Sequence, residues 1–436
     1  MSRAQDARAP GAFYGWWMVA ACTVVRGFTA PGQTIGVSAF IDELIEALGT
    51  TRSGVATAYL IGTLTGAMAL PFVGRWVDVA GVRRTMLIVA SLFAGAILFA
   101  STAQNVVMLA IAFVGLRMLG QGSLHLIGVQ GIVLWFERRR GWALAISGVG
   151  TLALMSSAPL VFTGLVNTFG WRASFVILGV GVFVVVVPIA LFFIVDRPED
   201  IGQRPDGRAD QLGEPTARGR SYTVAEAIRV PAFWTLSGLT LMAGAVVTGL
   251  TFHNFDLLGE RGLSEAEAAA IFIPQLVGGS MASFAMGWAT DRLPPRPLMF
   301  FAGVMLALGT FLATIAEPGI TAISYGLVTG VAAGSTGALF PALMPKWFGV
   351  DHIGAIKGVA TTANIGASAV GPLLLSLGND AAGTYGPVVT GCAIACAVTA
   401  IIAGLIPTPR ESLAVEGDLQ SSRRASSGDP SRSAPR

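Results

Sequence analysis

The stretch Gly74-Arg75-Trp76-Val77-Asp78 follows a long apolar run, and a related stretch, Gly287-Trp288-Ala289-Thr290-Asp291, follows another apolar run 213 positions later. Pro159 and Pro372 are separated by the same interval. A shared register over this distance predicts two copies of one helical membrane unit. Repeats of this kind are typical of secondary transporters, which bind their substrate between the copies near the middle of the bilayer.

Composition places the whole chain in lipid. Of its 436 residues, 53% are hydrophobic and 12% are charged, and the mean hydropathy is +0.68. A bilayer core about 30 Å thick requires roughly 20 apolar residues per helix, and twelve such runs occur, six in each copy. We therefore predict an all-α membrane protein with twelve transmembrane helices in two pseudo-symmetric six-helix bundles.

The distribution of basic residues predicts the orientation. Of the 28 Lys and Arg residues, 23 lie at the two ends of the chain, between even-numbered and following odd-numbered helices, or in the central linker. Short loops rich in Lys and Arg remain in the cytoplasm, so both termini are expected there. These residues are spread along the chain without a recognisable nucleic-acid-binding module, and we predict no nucleic-acid partner.

Changes in composition predict four segments. The N-terminal six-helix half covers 1–195, a charged cytoplasmic linker covers 196–229, the C-terminal half covers 230–408, and a Ser- and Arg-rich tail covers 409–436. The tail has nothing apolar to bury, which predicts disorder. The three cysteines all lie in apolar runs and no metal-ligand spacing occurs, so we predict neither a metal nor a cofactor.

The repeated Gly-x-x-x-Asp segments resemble the loop motif between helices 2 and 3 of the major facilitator superfamily and its echo between helices 8 and 9. The first copy has Val79 and Val82 where basic residues are common, and the second has Pro294 where Gly is expected. Glycines permit close helix contact, and the carboxylates suit a helix N-terminus or a neighbouring Arg. The predicted gating residues are Gly74, Asp78, Gly81, Arg83, Gly287, Asp291 and Arg292. The alternative interpretation is a set of loop charges that only fixes topology.

A narrower resemblance is to the bacterial branch of the monocarboxylate and oxalate/formate porters. It is carried by the segments Tyr14-Gly15-Trp16-Trp17, Trp135-Phe136-Glu137-Arg138-Arg139-Arg140-Gly141, Arg197-Pro198-Glu199-Asp200-Ile201-Gly202 and Arg261-Gly262-Leu263-Ser264. Two positions depart from that branch. Ser283 stands where an Arg is common in helix 8, and Asn364 stands where oxalate-type members often have a Lys.

Two arginines fall near the middle of predicted helices. Arg26 and Arg117 each lie about twelve residues from a helix start, which is near the midplane at about 1.5 Å per residue. A charged side chain there costs roughly 2.5–3.5 kcal/mol on insertion scales. Because no acidic residue is predicted in the membrane core, these cations indicate an anion site. The alternative for Arg117 is that it only bonds backbone carbonyls.

Helix 4 extends this candidate site. Arg117, Gln121 and His125 follow an i, i+4, i+8 spacing, which predicts that they share one face. Arg can bind a carboxylate through two parallel hydrogen bonds, and His can carry a proton, although a lone membrane His also serves as a packing residue. Further candidates are His253 for proton coupling and Gln33, Gln275, Ser283 and Asn364 for substrate binding.

Taken together, these features predict a monomeric secondary active transporter of the bacterial inner membrane. Its cargo is expected to be a small organic anion, a monocarboxylate, moved by alternating access in symport with protons. One alternative is proton-driven efflux of hydrophobic or cationic compounds, and another is a non-transporting membrane sensor. An enzyme is not predicted, because no catalytic triad, metal cluster or nucleotide loop occurs at usable spacing.

Overall fold

Every regular element is helical in the computed structural model, which describes residues 13–136, 139–205, 222–290, 292–349 and 353–406. The helices of the N-terminal half are α1 (Gly15–Gly27), α2 (Thr34–Val37), α3 (Ile41–Leu48), α4 (Arg52–Ala80), α5 (Val82–Ala100), α6 (Val106–Gly115), α7 (His125–Val133) and α8 (Arg140–Phe192). Those of the C-terminal half are α9 (Val224–Ala227), α10 (Pro231–Phe252), α11 (Asn254–Gly259), α12 (Glu265–Ala270), α13 (Phe272–Ala289), α14 (Pro295–Leu312), α15 (Ile320–Phe348), α16 (Ile353–Ala382) and α17 (Gly386–Leu405). The predicted linker falls partly within these residues, and the predicted tail lies outside them.

Helix starts are set by local side-chain chemistry. Thr51 precedes α4, and its hydroxyl accepts a hydrogen bond from the Gly54 N–H at 3.1 Å. The Asn105 side chain accepts from the first N–H groups of α6. Pro231 and Pro295 begin α10 and α14, where a missing N–H costs nothing.

Length and apolar composition identify nine helical stretches that could cross a membrane within the described residues. One of them, Gly141–Phe192, has 52 residues, and the backbone bends at Gly170, where φ is 74°. Large apolar side chains point outward along these helices, including Phe192 at 76% and Ile320 at 75% exposure. The chain is therefore an all-helical membrane protein whose outer surface suits lipid.

Two stretches depart from regular α-helix at mid-length. The helical segment that begins with α1 breaks after Gly27, continues as a 3₁₀ turn over Ala30–Gly32, and resumes as α2. Pro31 and Gly32 explain the break, because Pro lacks a backbone donor and Gly weakens a helix. Between α6 and α7 the segment Leu116–Leu124 is a π-helix. Irregular backbone at membrane depth is tolerated where it is buried in protein or lines a cavity.

The two halves meet at one end of the bundle. We call this end, where Arg52, Gly170 and Asp256 lie, the distal face, and the opposite end, where Tyr14 and Asp196 lie, the linker face. Arg52 of α4 forms a salt bridge with Asp256 of α11 at 3.1 Å. Two further hydrogen bonds join the halves at the distal face, from Ser53 to Asp380 and from Asn167 to Glu265. The distal face is closed by these contacts.

Candidate functional site

Arg117 lies at the start of the π-helix and is only 3% exposed. Its Nε donates to the Thr63 hydroxyl at 2.9 Å, and its Nη1 donates to the Gly32 carbonyl at 3.1 Å. The guanidinium also lies 4.4 Å from the centroid of the Tyr59 ring, within cation–π range. The break between α1 and α2 thus frees the Gly32 carbonyl, which accepts a hydrogen bond from Arg117. This contact agrees with the alternative interpretation, in which Arg117 bonds backbone carbonyls.

A small cavity lies beside Arg117, between the two halves. Its volume is about 120 Å³, below the roughly 300–1,000 Å³ of typical ligand pockets. The N-terminal half contributes Arg117, Gln121 and Thr63, and the C-terminal half contributes Ile365 and Ser368. Arg117 and Gln121 therefore line one cavity, and its position between the repeats is typical of transporter substrate sites.

Arg26 forms a second cluster in the last turn of α1, where the helix dipole favours a cation. Its Nη1 donates to the Ser147 hydroxyl at 2.8 Å, and its Nη2 lies 3.5 Å from Nε2 of His125. Its Nε is buried without a hydrogen-bond partner. A Cβ added at Gly128 would lie 2.6 Å from the Arg26 side chain, so the backbone of α7 approaches Arg26 closely.

Neither buried guanidinium is neutralised by a neighbouring acid. Over the residues that the structure describes, the salt bridges are those of Arg52 with Asp42 and with Asp256, and no carboxylate lies within 4.0 Å of Arg26 or Arg117. A buried charge without a partner is costly. An anion in the cavity that Arg117 lines would compensate this cation.

The predicted face of helix 4 is not a regular α-helical one. Because Leu116–Leu124 is a π-helix, its hydrogen bonds close wider turns than the predicted i+4 register assumes. His125 then contacts Arg26, whereas Arg117 contacts Thr63. Since Nε2 of His125 faces an Arg donor, this arrangement suits the neutral imidazole.

The C-terminal half contributes a larger cavity without a charged lining. It holds about 310 Å³, and its polar lining consists of Asn364 and four threonines, Thr240, Thr248, Thr336 and Thr361. The Oδ1 of Asn364 is buried without a hydrogen-bond partner. Asn364 therefore has a free acceptor beside a cavity, which suits a ligand donor.

In the described part of the chain, no hydrogen bond joins the remaining predicted binding residues to the Arg26 or Arg117 guanidinium. Gln33 donates to the Thr29 hydroxyl at 3.2 Å, and Ser283 donates to the Gly334 carbonyl at 3.2 Å. Gln275 is half-buried on α13. His253 is fully buried at the distal face, 2.8 Å from the Pro372 carbonyl oxygen. The structure thus places Arg117 beside Gln121, and Arg26 beside His125. His253 lies at neither pair.

The first predicted gating segment contacts its own half. Gly81 has φ of 83°, and a Cβ there would lie 2.7 Å from the Asp196 carboxylate. Arg83 donates its backbone N–H to Asp196 Oδ1 at 2.8 Å, and its guanidinium donates to the Leu191 carbonyl. Asp196 therefore caps the N-terminus of α5. Gly74 and Asp78 lie in α4, and their side chains are outside the described part of the chain.

The second predicted gating segment is only partly described. Arg292 lies 4.6 Å from the centroid of the Trp288 ring and donates to the Trp288 carbonyl at 3.4 Å. A Cβ added at Gly287 would have no neighbour within 4 Å, so the expected close helix contact at this glycine is wrong for this conformation. Asp291 lies outside the described residues.

Several residues of the site were not expected from the sequence. Thr63, Tyr59 and Ser147 each contact one of the two arginines, and nothing in their spacing indicates this. The adjacent Pro31 and Gly32 could have indicated the break between α1 and α2. Within the described residues, no group of three or more metal-ligating side chains is placed to hold a metal ion.

Comparison with known proteins agrees with this architecture. The model of the Major Facilitator Superfamily matches residues 22–281 and 254–427. The chain therefore belongs to this superfamily, as the loop motifs indicated, and it is a secondary transporter and not an enzyme.

Among its relatives, the MFS-type transporter YhjX of Escherichia coli is 23% identical over 79% of this chain and 83% of its own length. The gallate transporter of Pseudomonas putida is 27% identical, covering 85% and 87%. Mouse monocarboxylate transporter 11 is 26% identical, covering 88% and 81%. The fold is similar to a crystal structure of a bacterial homologue of the human lysosomal transporter Spinster, inward-facing and unoccupied, with a TM-score of 0.67 and 16% identity over 90% and 96% of the two chains.

Proposed function

We propose that this transporter moves a small organic anion, a monocarboxylate, by alternating access and in symport with protons. The observation that carries the proposal is the pair of buried arginines, Arg26 and Arg117, which have no carboxylate partner among the described residues. A carboxylate can pair with a guanidinium through charge-assisted hydrogen bonds. The names of the gallate and monocarboxylate transporters among the relatives support the same class of cargo.

The proposal includes the topology of the chain. The chain crosses the bilayer twelve times, with the merged helix α8 counted as two crossings and the broken segment Gly15–Leu48 as one. Most of the Lys and Arg residues within the described ranges lie toward the linker face, which supports a cytoplasmic location for it. The distal face then opens to the outside of a bacterial inner membrane.

Uptake by the purified protein in liposomes tests the cargo. The probes are radiolabelled acetate, lactate and benzoate, each measured with an inwardly directed proton gradient and without one. We expect uptake of at least one of them to be faster with the gradient. Arg26→Gln and Arg117→Gln should each reduce that uptake by about tenfold or more, because a charge-assisted pair contributes about 1.5–3 kcal/mol.

The matched control is Arg229→Gln, which neutralises an exposed arginine at the linker face and should leave uptake unchanged. Size-exclusion profiles show whether each variant is folded. Full uptake in both of the buried-arginine variants would rule out an anion site at these residues. Uptake that ignores the proton gradient would rule out symport with protons.

A further inference from the structure

A chain of hydrogen-bonding groups lies at the distal face of the C-terminal half. His253 follows α10 and is fully buried. Its Nε2 lies 2.8 Å from the Pro372 carbonyl oxygen, and its Nδ1 lies 3.0 Å from the Tyr385 hydroxyl. The same hydroxyl lies 2.7 Å from Oδ2 of Asp256. The chain thus runs from a carbonyl through an imidazole and a phenol to a carboxylate.

The number of protons in this chain follows from its geometry. A carbonyl oxygen only accepts, so Nε2 of His253 carries a proton and donates it to Pro372. Nδ1 of a neutral imidazole is then an acceptor, and an ionised Asp256 is an acceptor as well. The Tyr385 hydroxyl has one proton to donate, and it lies within hydrogen-bonding distance of both Nδ1 of His253 and the Asp256 carboxylate. The observed contacts are all satisfied when the chain holds one further proton, on His253 or on Asp256.

The N-terminal half completes the arrangement. Arg52 Nε lies 3.1 Å from the same carboxylate oxygen of Asp256, and Arg52 Nη2 lies 2.5 Å from Asp42. Phe252, adjacent to His253, also packs its ring against Tyr59 of α4, with 4.9 Å between centroids. The proton chain therefore lies directly on the contact that closes the distal face.

Other charged groups surround this chain at the distal face. Asp380 bonds Ser53, and Glu260 accepts a hydrogen bond from the Thr384 hydroxyl at 3.0 Å. Together with Asp42, these are exposed carboxylates, and Arg52 and the neighbouring Arg261 supply the positive charges. Variants of Tyr385 and Asp256 therefore decide whether a pH response belongs to the chain that contains His253.

We propose that His253, Tyr385 and Asp256 form a proton-binding site whose occupancy stabilises the closed distal face. The proton comes from solvent and forms one N–H or O–H bond, and no other covalent bond changes. When it leaves, the Tyr385 hydroxyl has one proton for two acceptors, Nδ1 of His253 and the Asp256 carboxylate, so one of these contacts loses its hydrogen bond, which disfavours the closed arrangement. Opening withdraws Arg52 and admits water to both acceptors. The inference rests on the proposed function, because closure behind a bound proton is what symport from the distal side requires.

The distance across the distal face tests this inference. Spin labels are attached at Glu46→Cys and Ala382→Cys, two exposed positions in opposite halves, in the full chain with Cys22, Cys392 and Cys396 replaced by Ala. Distances are measured by pulsed electron paramagnetic resonance in lipid nanodiscs at about pH 5.5 and about pH 8.5. We expect the ratio of open to closed distances to rise about tenfold at the higher pH, because a buried acceptor is then left unpaired.

Two variants assign the response to this site. Tyr385→Phe removes the bridging hydroxyl, and Asp256→Asn removes the ionisable carboxyl, so both should abolish the pH response. Tyr325→Phe is the matched control, because Tyr325 is also a buried tyrosine of the C-terminal half, and it should retain the response.

The outcomes are separate from those of the uptake experiment, because the distances are measured without any substrate. An unchanged distance distribution in the unsubstituted chain overturns the proposal by itself, whether or not the variants fold. A response that persists in Tyr385→Phe and Asp256→Asn assigns it to other groups and also overturns the proposal. A pH response in a protein that transports no carboxylate would leave the proton site standing and refute the cargo instead.

Discussion

The Arg52 guanidinium lies 3.1 Å from the Asp256 carboxylate, and these two residues belong to opposite halves of the transporter. Their side chains are only partly accessible, at 16% and 28% exposure, so solvent screens the pair less than an ion pair on an open surface. Arg52 also holds Asp42 of its own half. One arginine therefore fixes the edge of the N-terminal half and joins it to the other half.

This pair should be energetically coupled. In a double-mutant cycle, Arg52→Gln and Asp256→Asn are combined, and the free energy of unfolding of each variant is measured in mixed detergent. We expect a coupling energy of about 1 kcal/mol, at the upper end for partly exposed pairs. Strictly additive effects would show that the two side chains do not interact in solution.

The hydroxyl that supports Arg117 should affect both stability and binding. Thr63→Val removes the acceptor for Arg117 Nε and should lower stability by about 1–3 kcal/mol, because a buried donor is left unpaired. Thr65→Val is the matched control on the same helix, since Thr65 is exposed and bonds only the Ile61 carbonyl. Thermal unfolding of both variants, with and without a transported carboxylate, measures the difference. Equal stability of the two variants would contradict the Arg117–Thr63 contact.

Gly81 should be more sensitive to substitution than Gly170. Both have nearly the same backbone angles, with φ of 83° and 74° and ψ of 163°, so Ala at either position costs about 1–3 kcal/mol in backbone strain. Only at Gly81 would the new Cβ also meet a side chain, the Asp196 carboxylate at 2.7 Å. Gly81→Ala should therefore lower the unfolding temperature more than Gly170→Ala. The reverse order would show that Asp196 does not lie against the start of α5.

Gly334 and Gly337 should respond in opposite directions, although both lie on α15. A Cβ at Gly334 would lie 2.1 Å from the Gly279 carbonyl oxygen of α13, whereas a Cβ at Gly337 would have no neighbour within 4 Å. Gly334→Ala should destabilise the protein by about 1–3 kcal/mol through overpacking. Gly337→Ala should be neutral or stabilising by up to about 1 kcal/mol, because Ala favours a helix. Similar unfolding temperatures for the two variants would contradict the close approach of α13 and α15.

The repeated motifs and the apolar runs predicted the superfamily, because these signals are local and occur twice. The pairing of Arg117 with Gln121 in one cavity was also predictable from their spacing along one helix. The π-helix that moves His125 away from this pair was not, since Gly120 and Gly122 weaken an α-helix without specifying a π-helix. The break at Ala30–Gly32 could have been predicted from its Pro and Gly. The hydrogen bond from Arg117 to the carbonyl at this break could not.

The contacts that could not be predicted from the sequence join residues that are far apart along the chain. His253 meets Pro372 and Tyr385, which are 119 and 132 residues away. Such contacts depend on how α10, α16 and α17 pack, and a single sequence carries no record of that packing. The contacts of Asp256 with Tyr385 and Arg52 likewise came only from the structure.

The close approach of α13 and α15 has a consequence for how the C-terminal half moves. Beside Gly334, Gly330 faces the carbonyl oxygen of Gln275 at a virtual Cβ distance of 2.1 Å, and Gly278 faces that of Leu327 at 2.2 Å. Backbones in mutual contact at three levels leave no room for sliding. These two helices should travel as a single solid block during the transport cycle, which makes them a fixed reference frame against which the displacement of every other helix can be measured.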